Sequence, residues 1–123
     1  MESKKSGIDA RRTPRRVFNR AIGILQGGQY AIQQALQLSE GGMLFMSDFV
    51  FAKDAHIVAT LVLPGGDTLV VRGQILYSKP AGRSKLQYGV RFDGVGIQHK
   101  RMIRNYVSAK TQAEAELENE TRQ

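Results

Sequence analysis

Between residues 56 and 63 the chain alternates strictly: Ile57, Ala59, Leu61 and Leu63 fall on one face of an extended strand. Pro64-Gly65-Gly66-Asp67 has the composition of a hairpin turn. Residues 68–78 then return, with Leu69, Val71, Gly73, Ile75 and Tyr77 predicted inward and Thr68, Arg72, Gln74 and Ser78 mostly outward. A loop over residues 79–85 carries Pro80 and Gly82. Residues 86–92 alternate again, with Leu86, Tyr88, Val90 and Phe92 inward and Gln87, Gly89 and Arg91 outward. The first half is less regular. Residues 17–25 are β-branched and apolar, Gly27-Gly28 supplies a turn, and residues 30–38 follow with polar Gln37 opposite Leu36 and Leu38. Ser39-Glu40-Gly41-Gly42 breaks the run, and residues 43–46 resume it. Short period-two runs separated by turn signals argue a β-barrel or sandwich. From Ile97 the period lengthens: Met102, Ile103, Tyr106 and Val107 make one helical stripe, with Lys100, Arg101, Arg104 and Lys110 on the wet side. This helix is expected to lie against the barrel, continuing or fraying after Lys110.

A chain of 123 residues, 41% hydrophobic, fits one packed domain. No apolar run approaches the roughly 18 residues of a membrane helix; residues 58–63 are interrupted by Thr60 and stopped by Pro64. The first ten residues are polar and read as a flexible tail, with no signal peptide. Cysteine is absent, which excludes a disulfide scaffold, a thiol nucleophile and a Cys-ligated zinc, and fits a reducing cytoplasm. With only His56 and His99, a His-rich metal site is excluded too.

Charge is uneven. The net charge is +7, and the first twenty residues carry seven cations (Lys4, Lys5, Arg11, Arg12, Arg15, Arg16, Arg20) against Glu2 and Asp9. The final stretch is acidic, with Glu114, Glu116, Glu118 and Glu120 against Arg122. A basic head calls for an anionic partner, unless it is merely a solvated tail. No catalytic pattern accompanies it. The acidic residues, Asp48, Asp54, Asp67 and Asp93 among them, fall in turns and the tail, neither histidine has a triad partner, and no phosphate-loop or H-E-x-x-H motif occurs. The expectation is a binding protein without catalytic activity.

Two features carry chemistry. In Arg11-Arg12-Thr13-Pro14-Arg15-Arg16, Pro14 biases Thr13 to an extended conformation and holds the arginines outside any helix. Guanidinium forks grip phosphate or the O6/N7 edge of guanine in a way lysine cannot. In Gln37-Leu38-Ser39-Glu40-Gly41-Gly42, an amide and a hydroxyl precede a glycine pair, which permits positive φ and close approach of a ligand.

Together these resemble the PilZ domain, the bacterial receptor module for cyclic di-GMP, with its R-x-x-x-R motif and its later [D/N]-x-S-x-x-G motif. Arg11 and Arg15 fit the first motif, and Arg12 and Arg16 fit it one residue on; the Pro-Arg step favours Arg11 and Arg15. Ser39 and Gly42 match the second, and Tyr88-Gly89-Val90-Arg91-Phe92 resembles the strand that closes such barrels. The resemblance spans residues 8–108. It implies a six-stranded antiparallel barrel with a C-terminal helix over residues 11–108, followed by an acidic helical or disordered tail at 109–123. It implies cyclic di-GMP as ligand, held by Arg11, Arg12, Arg15, Arg16, Gln37, Ser39 and Gly42, with no cofactor or metal. With no output domain in the chain, the signal would pass to a protein effector in motility, attachment or exopolysaccharide control. Gln37 departs from the pattern. It stands where the family has Asp or Asn, the position that by resemblance takes hydrogen bonds from guanine's Watson–Crick edge. A longer, uncharged side chain there costs on the order of 1–2 kcal/mol, about tenfold in affinity.

Two rivals stand beside this reading. One is a PilZ module that has lost its ligand and binds only protein, which Gln37 favours. The other is a small nucleic-acid-binding barrel using the basic head. Against it, tryptophan is absent and most Phe and Tyr alternate inward, leaving few stacking platforms, so no DNA is expected.

Overall fold

The computed structural model describes the backbone of residues 15–122 and side chains through residue 109. The expectations for the tail at 1–10 and for Arg11 and Arg12 lie outside the described residues. Six strands come first: β1 (Arg15–Gln26), β2 (Gln29–Ser39), β3 (Gly42–Ser47), β4 (His56–Val62), β5 (Thr68–Pro80) and β6 (Leu86–Val95). One helix, α1 (Ile97–Arg122), follows. The strands make two meanders, β1-β2-β3 and β4-β5-β6. Antiparallel pairing of β3 with β6 and of β1 with β4 closes them into a barrel. The expected six-stranded antiparallel barrel with a C-terminal helix is what forms, and closure leaves no free sheet edge among the described residues.

The first hairpin shows how local chemistry sets register. Gly27 and Gly28 have φ of 59° and 80°, the paired positive values of a two-residue turn whose twist suits antiparallel strands. Gln26 and Gln29 face each other across it. Inward positions of β4, β5 and β6 (Ile57, Ala59, Leu61, Leu69, Val71, Ile75, Tyr88, Val90) are buried, as the alternation requires. Ile103 and Val107 of α1 are buried in the same core. Tyr106 meets Phe18 edge-on at 5.7 Å. Phe45, Phe51 and Tyr88 form a second aromatic cluster, and the Tyr88 hydroxyl donates to Phe49 O at 2.9 Å and accepts from Phe51 N at 2.8 Å.

The register shifts at four places among the described residues, and two of them, on β2 and β5, matter below. On β2, Ala35 pairs with Phe45 but Gln37 pairs with Leu44, so one extra residue sits on β2. Ala35 and Leu38 are therefore both inward, and Leu36 does not share a face with Leu38 as the pattern predicts. Gln37 still points opposite Leu38. On β5, Ile75 pairs with Val90 and Tyr77 with Gly89, a second bulge with Leu76 as the extra residue. Tyr77, predicted inward, is instead 45% exposed. Its ring lies over Gly89, where a side chain would occupy the same space. Most Phe and Tyr pack inward as expected; Tyr30, Phe49 and Tyr77 are exposed at separate places, Tyr77 against its predicted face. Residues 79 and 80, expected in a loop, end β5, and the backbone after Lys110 is helical to Arg122.

Candidate functional site

Strand pairing lays side chains in rows across the outside of the barrel. In one row Arg15 faces Ser39, Gly42 faces Arg91, and Arg91 faces Gln74. Ser39 Oγ donates to Gly42 O at 3.2 Å and joins the two halves. In the next row Gln37, Leu44, Gly89 and Tyr77 are successive cross-strand neighbours. The rows are two residues apart on β2, β3 and β6, about 7 Å, and three apart on β5, where the bulge adds Leu76. An open cavity of about 250 Å³ spans both, lined by Arg15, Gln37, Ser39, Gly42, Tyr77 and Arg91 among others. The β2 bulge turns Gln37 and Ser39 outward together, and the β5 bulge brings Tyr77 to meet them.

The surroundings of each residue differ. Arg15 is exposed and makes no hydrogen bond or ion pair among the described residues. Gln37 Oε1 is shielded from solvent and accepts no hydrogen bond there. A buried acceptor without a donor is costly, about 1–3 kcal/mol, and an incoming N–H group would relieve it. Gly41 and Gly42 do not adopt the positive φ expected of the pair. Gly42 is required for another reason: a Cβ there would collide with the carbonyl of Val90 across the β3–β6 seam.

Arg16 faces elsewhere. Its Nη1 donates to Tyr106 O at 2.9 Å, and its guanidinium lies 3.9 Å from the centre of the Tyr106 ring. Tyr106 in turn donates from its hydroxyl to Val17 O at 3.2 Å. Glu40, next to Ser39, accepts from Arg104 Nη2 at 2.7 Å and from Nε at 3.2 Å. That forked contact holds the Glu40 carboxyl below the usual carboxylate range, against a smaller opposing effect of burial. Helix α1 thus grips the immediate neighbours of Arg15 and Ser39. Among the described residues no cluster of His, Asp or Glu could hold a metal ion, and no helix is long and apolar enough to cross a membrane.

The family model of the PilZ domain matches residues 9–109. The chain belongs to the PilZ domain family. Solved PilZ structures share its fold at low identity. The PilZ domain of YcgR from Escherichia coli, solved with c-di-GMP, superimposes with a TM-score of 0.60 at 14% identity, covering 87% of this chain and 96% of that one. MotI/DgrA, the inhibitor of motility from Bacillus subtilis, gives 0.75 at 9%, covering 82% and 51%. The MrkH–c-di-GMP complex from K. pneumonia gives 0.62 at 16%, covering 91% and 55%. The chain spans about half the length of MotI and MrkH. No curated protein matches the sequence.

Of the residues expected from the PilZ motifs, Arg15, Gln37, Ser39 and Gly42 line one cavity, Arg16 is engaged by α1, and Arg11 and Arg12 lie outside the described residues. Sequence reasoning missed Leu76, Tyr77 and Arg91 on the far wall. Arg91 could have been found, since the alternation of residues 86–92 already points it outward. Tyr77 could not, because a bulge leaves no mark on an apolar run.

Proposed function

We propose that this PilZ domain is a cytoplasmic cyclic di-GMP receptor that passes the signal to a protein effector without catalysis. PilZ domains are binding and receptor modules, and the family is one of c-di-GMP receptors. The observation that carries the reading for this chain is that Gln37 Oε1 and Arg15, neither with a side-chain partner among the described residues, line the same cavity. Guanine presents N–H donors on its Watson–Crick edge, which suit Gln37 Oε1. The ligand phosphates suit Arg15, aided by Arg11. The exposed ring of Tyr77 offers a face for a purine. Ser39 and Gly42 form the neutral surface between. Engagement of Arg16 by Tyr106 supports the register of Arg11 and Arg15 over that of Arg12 and Arg16. A cavity of about 250 Å³ is smaller than a usual site for a ligand of this size. The bound ligand therefore stands proud of the barrel and offers new surface to an effector, in the processes the family implies, such as motility, attachment or exopolysaccharide control.

Calorimetric titration with cyclic di-GMP, beside a GTP control and Arg15→Ala, tests this. Micromolar or tighter binding, absent for GTP and weakened about 30-fold in Arg15→Ala, is the expected result. Silence with cyclic di-GMP at millimolar concentration would refute it and leave a PilZ module that binds only protein, the outcome that Gln37 in place of Asp or Asn would then explain.

A further inference from the structure

Opposite Arg15, the second wall of the cavity carries a cation that neither PilZ motif includes. Arg91 follows Val90 on β6 and faces Gly42 across the β3–β6 seam. Arg15 and Arg91 stand at the two ends of the row through Ser39 and Gly42, three strand spacings apart, about 14 Å between backbones. Among the described residues, nothing between them projects beyond a hydroxyl and the cavity lining includes no carboxylate. The one acid in the adjoining turn, Glu40, is turned away to Arg104.

Arg91 is also held in place. Its Nη2 donates to Gln74 Oε1 at 3.2 Å. Gln74 Nε2 donates to Asp54 O at 3.2 Å. The Asp54 turn is clamped to Gln74's neighbour Ile75: Asp54 N donates to Ile75 O at 2.9 Å and Ile75 N to Ala55 O at 2.9 Å. A carbonyl needs a donor and a guanidinium needs an acceptor, so only one orientation of the Gln74 amide serves both. A flexible exposed arginine without such support would lose considerable side-chain freedom on binding. One held by a fixed acceptor has lost part of it already and keeps further N–H donors for a ligand.

We infer that Arg91 is a further ligand-binding residue of the groove, contacting a phosphate of the bound dinucleotide from the side opposite Arg15, with Gln74 as its positioning residue. The inference rests on the cyclic di-GMP reading. The arrangement of rows favours phosphate over base: the purine face is offered by Tyr77 in the neighbouring row, while the row holding Arg91 is cationic and small. A phosphate contact here also offsets affinity lost where Gln37 stands in place of Asp or Asn.

The test is calorimetry with cyclic di-GMP on the full chain, at low and high salt, for the parent, Arg15→Ala, Arg91→Ala, Arg91→Lys, Gln74→Ala and Arg83→Ala. Arg83, in the β5–β6 turn, controls for loss of one surface charge. Arg91→Ala should weaken binding about tenfold or more and flatten its salt dependence, because a phosphate contact is lost. Arg91→Lys should recover much of the loss at low salt, since a point charge still meets phosphate. Gln74→Ala should weaken binding about threefold with the parent's salt dependence, because the charge remains and only its placement suffers. If the parent and Arg83→Ala bind, Arg15→Ala binds about 30-fold more weakly, and Arg91→Ala matches Arg83→Ala, the role of Arg91 is overturned and the receptor reading survives. If the parent itself is silent, both fall.

Discussion

Arg15 and Arg16 are adjacent in sequence and opposite in surroundings, so replacing each with alanine should separate binding from stability. Arg16→Ala removes a charged donor's hydrogen bond to Tyr106 O and a guanidinium stacked 3.9 Å from the ring. A hydrogen bond from a charged group contributes about 1.5 kcal/mol at the lower end of its range. The stacking adds about 0.5 kcal/mol. A loss of about 2 kcal/mol, at a urea slope of about 1.5 kcal/mol/M, lowers the unfolding midpoint by about 1.3 M. Arg15 makes no such contacts among the described residues, so Arg15→Ala should stay within about 0.5 kcal/mol of the parent. Binding should show the reverse. Losing a charge-assisted phosphate contact of about 2 kcal/mol weakens cyclic di-GMP about 30-fold in Arg15→Ala. Arg16→Ala should bind within about threefold, since the remaining core contacts of Ile103 and Val107 keep α1 docked. Urea melts followed by far-UV circular dichroism and titration calorimetry on the same preparations read both quantities. An Arg16→Ala protein that melts like the parent yet fails to bind would refute the assignment and put the ligand on the register of Arg12 and Arg16.

Three further outcomes follow from the geometry. Gly42→Ala forces a methyl group against the Val90 carbonyl, which belongs to paired backbone and cannot swing aside, so a loss of about 3 kcal/mol is expected in the urea melt, and an unchanged midpoint would show that the seam is looser than described. The Glu40 carboxyl is depressed by Arg104, so its contribution to stability is fully present above the ordinary carboxylate value and is lost as pH falls through the lower folded value. An NMR pH titration should therefore show the neighbouring Gly41 amide shifting only in acid below the ordinary carboxylate range, with the transition absent in Glu40→Gln. Tyr77→Ala should weaken cyclic di-GMP by about 1–2 kcal/mol, Tyr77→Phe should not, and equal effects of the two would exclude stacking as the role of the ring.

Much of the barrel is legible because burial on one face writes itself into period two. Residues 56–63 and 86–92 read almost residue for residue, and the helix beginning at Ile97 declares itself by its change of period. The bulges are not legible. A bulge adds one residue without altering composition, so Leu36 and Tyr77 read as inward from the pattern, yet the pairing of Gln37 with Leu44 and of Tyr77 with Gly89 decides their faces. Of the candidate site, the motif half (Arg15, Gln37, Ser39, Gly42) follows from resemblance and local chemistry. The opposite half depends on which strands become neighbours. Arg91 reaches the cavity only because β6 pairs with β3, two strands far apart in the chain whose pairing no local pattern encodes.

The collision that a side chain at position 42 would meet changes what a motif match is worth as evidence. Gly42 is demanded by the closeness of two strands, so a barrel that had lost its ligand would still need it. Ser39 is partly in the same position, since its hydroxyl bonds the Gly42 carbonyl and helps finish the turn without any ligand. Of Arg15, Ser39 and Gly42, only Arg15 has no side-chain contact to keep among the described residues. When sequences of this kind are sorted into receptors and silent modules, the glycine and serine therefore report that the barrel closes, and the arginine reports what the barrel is for.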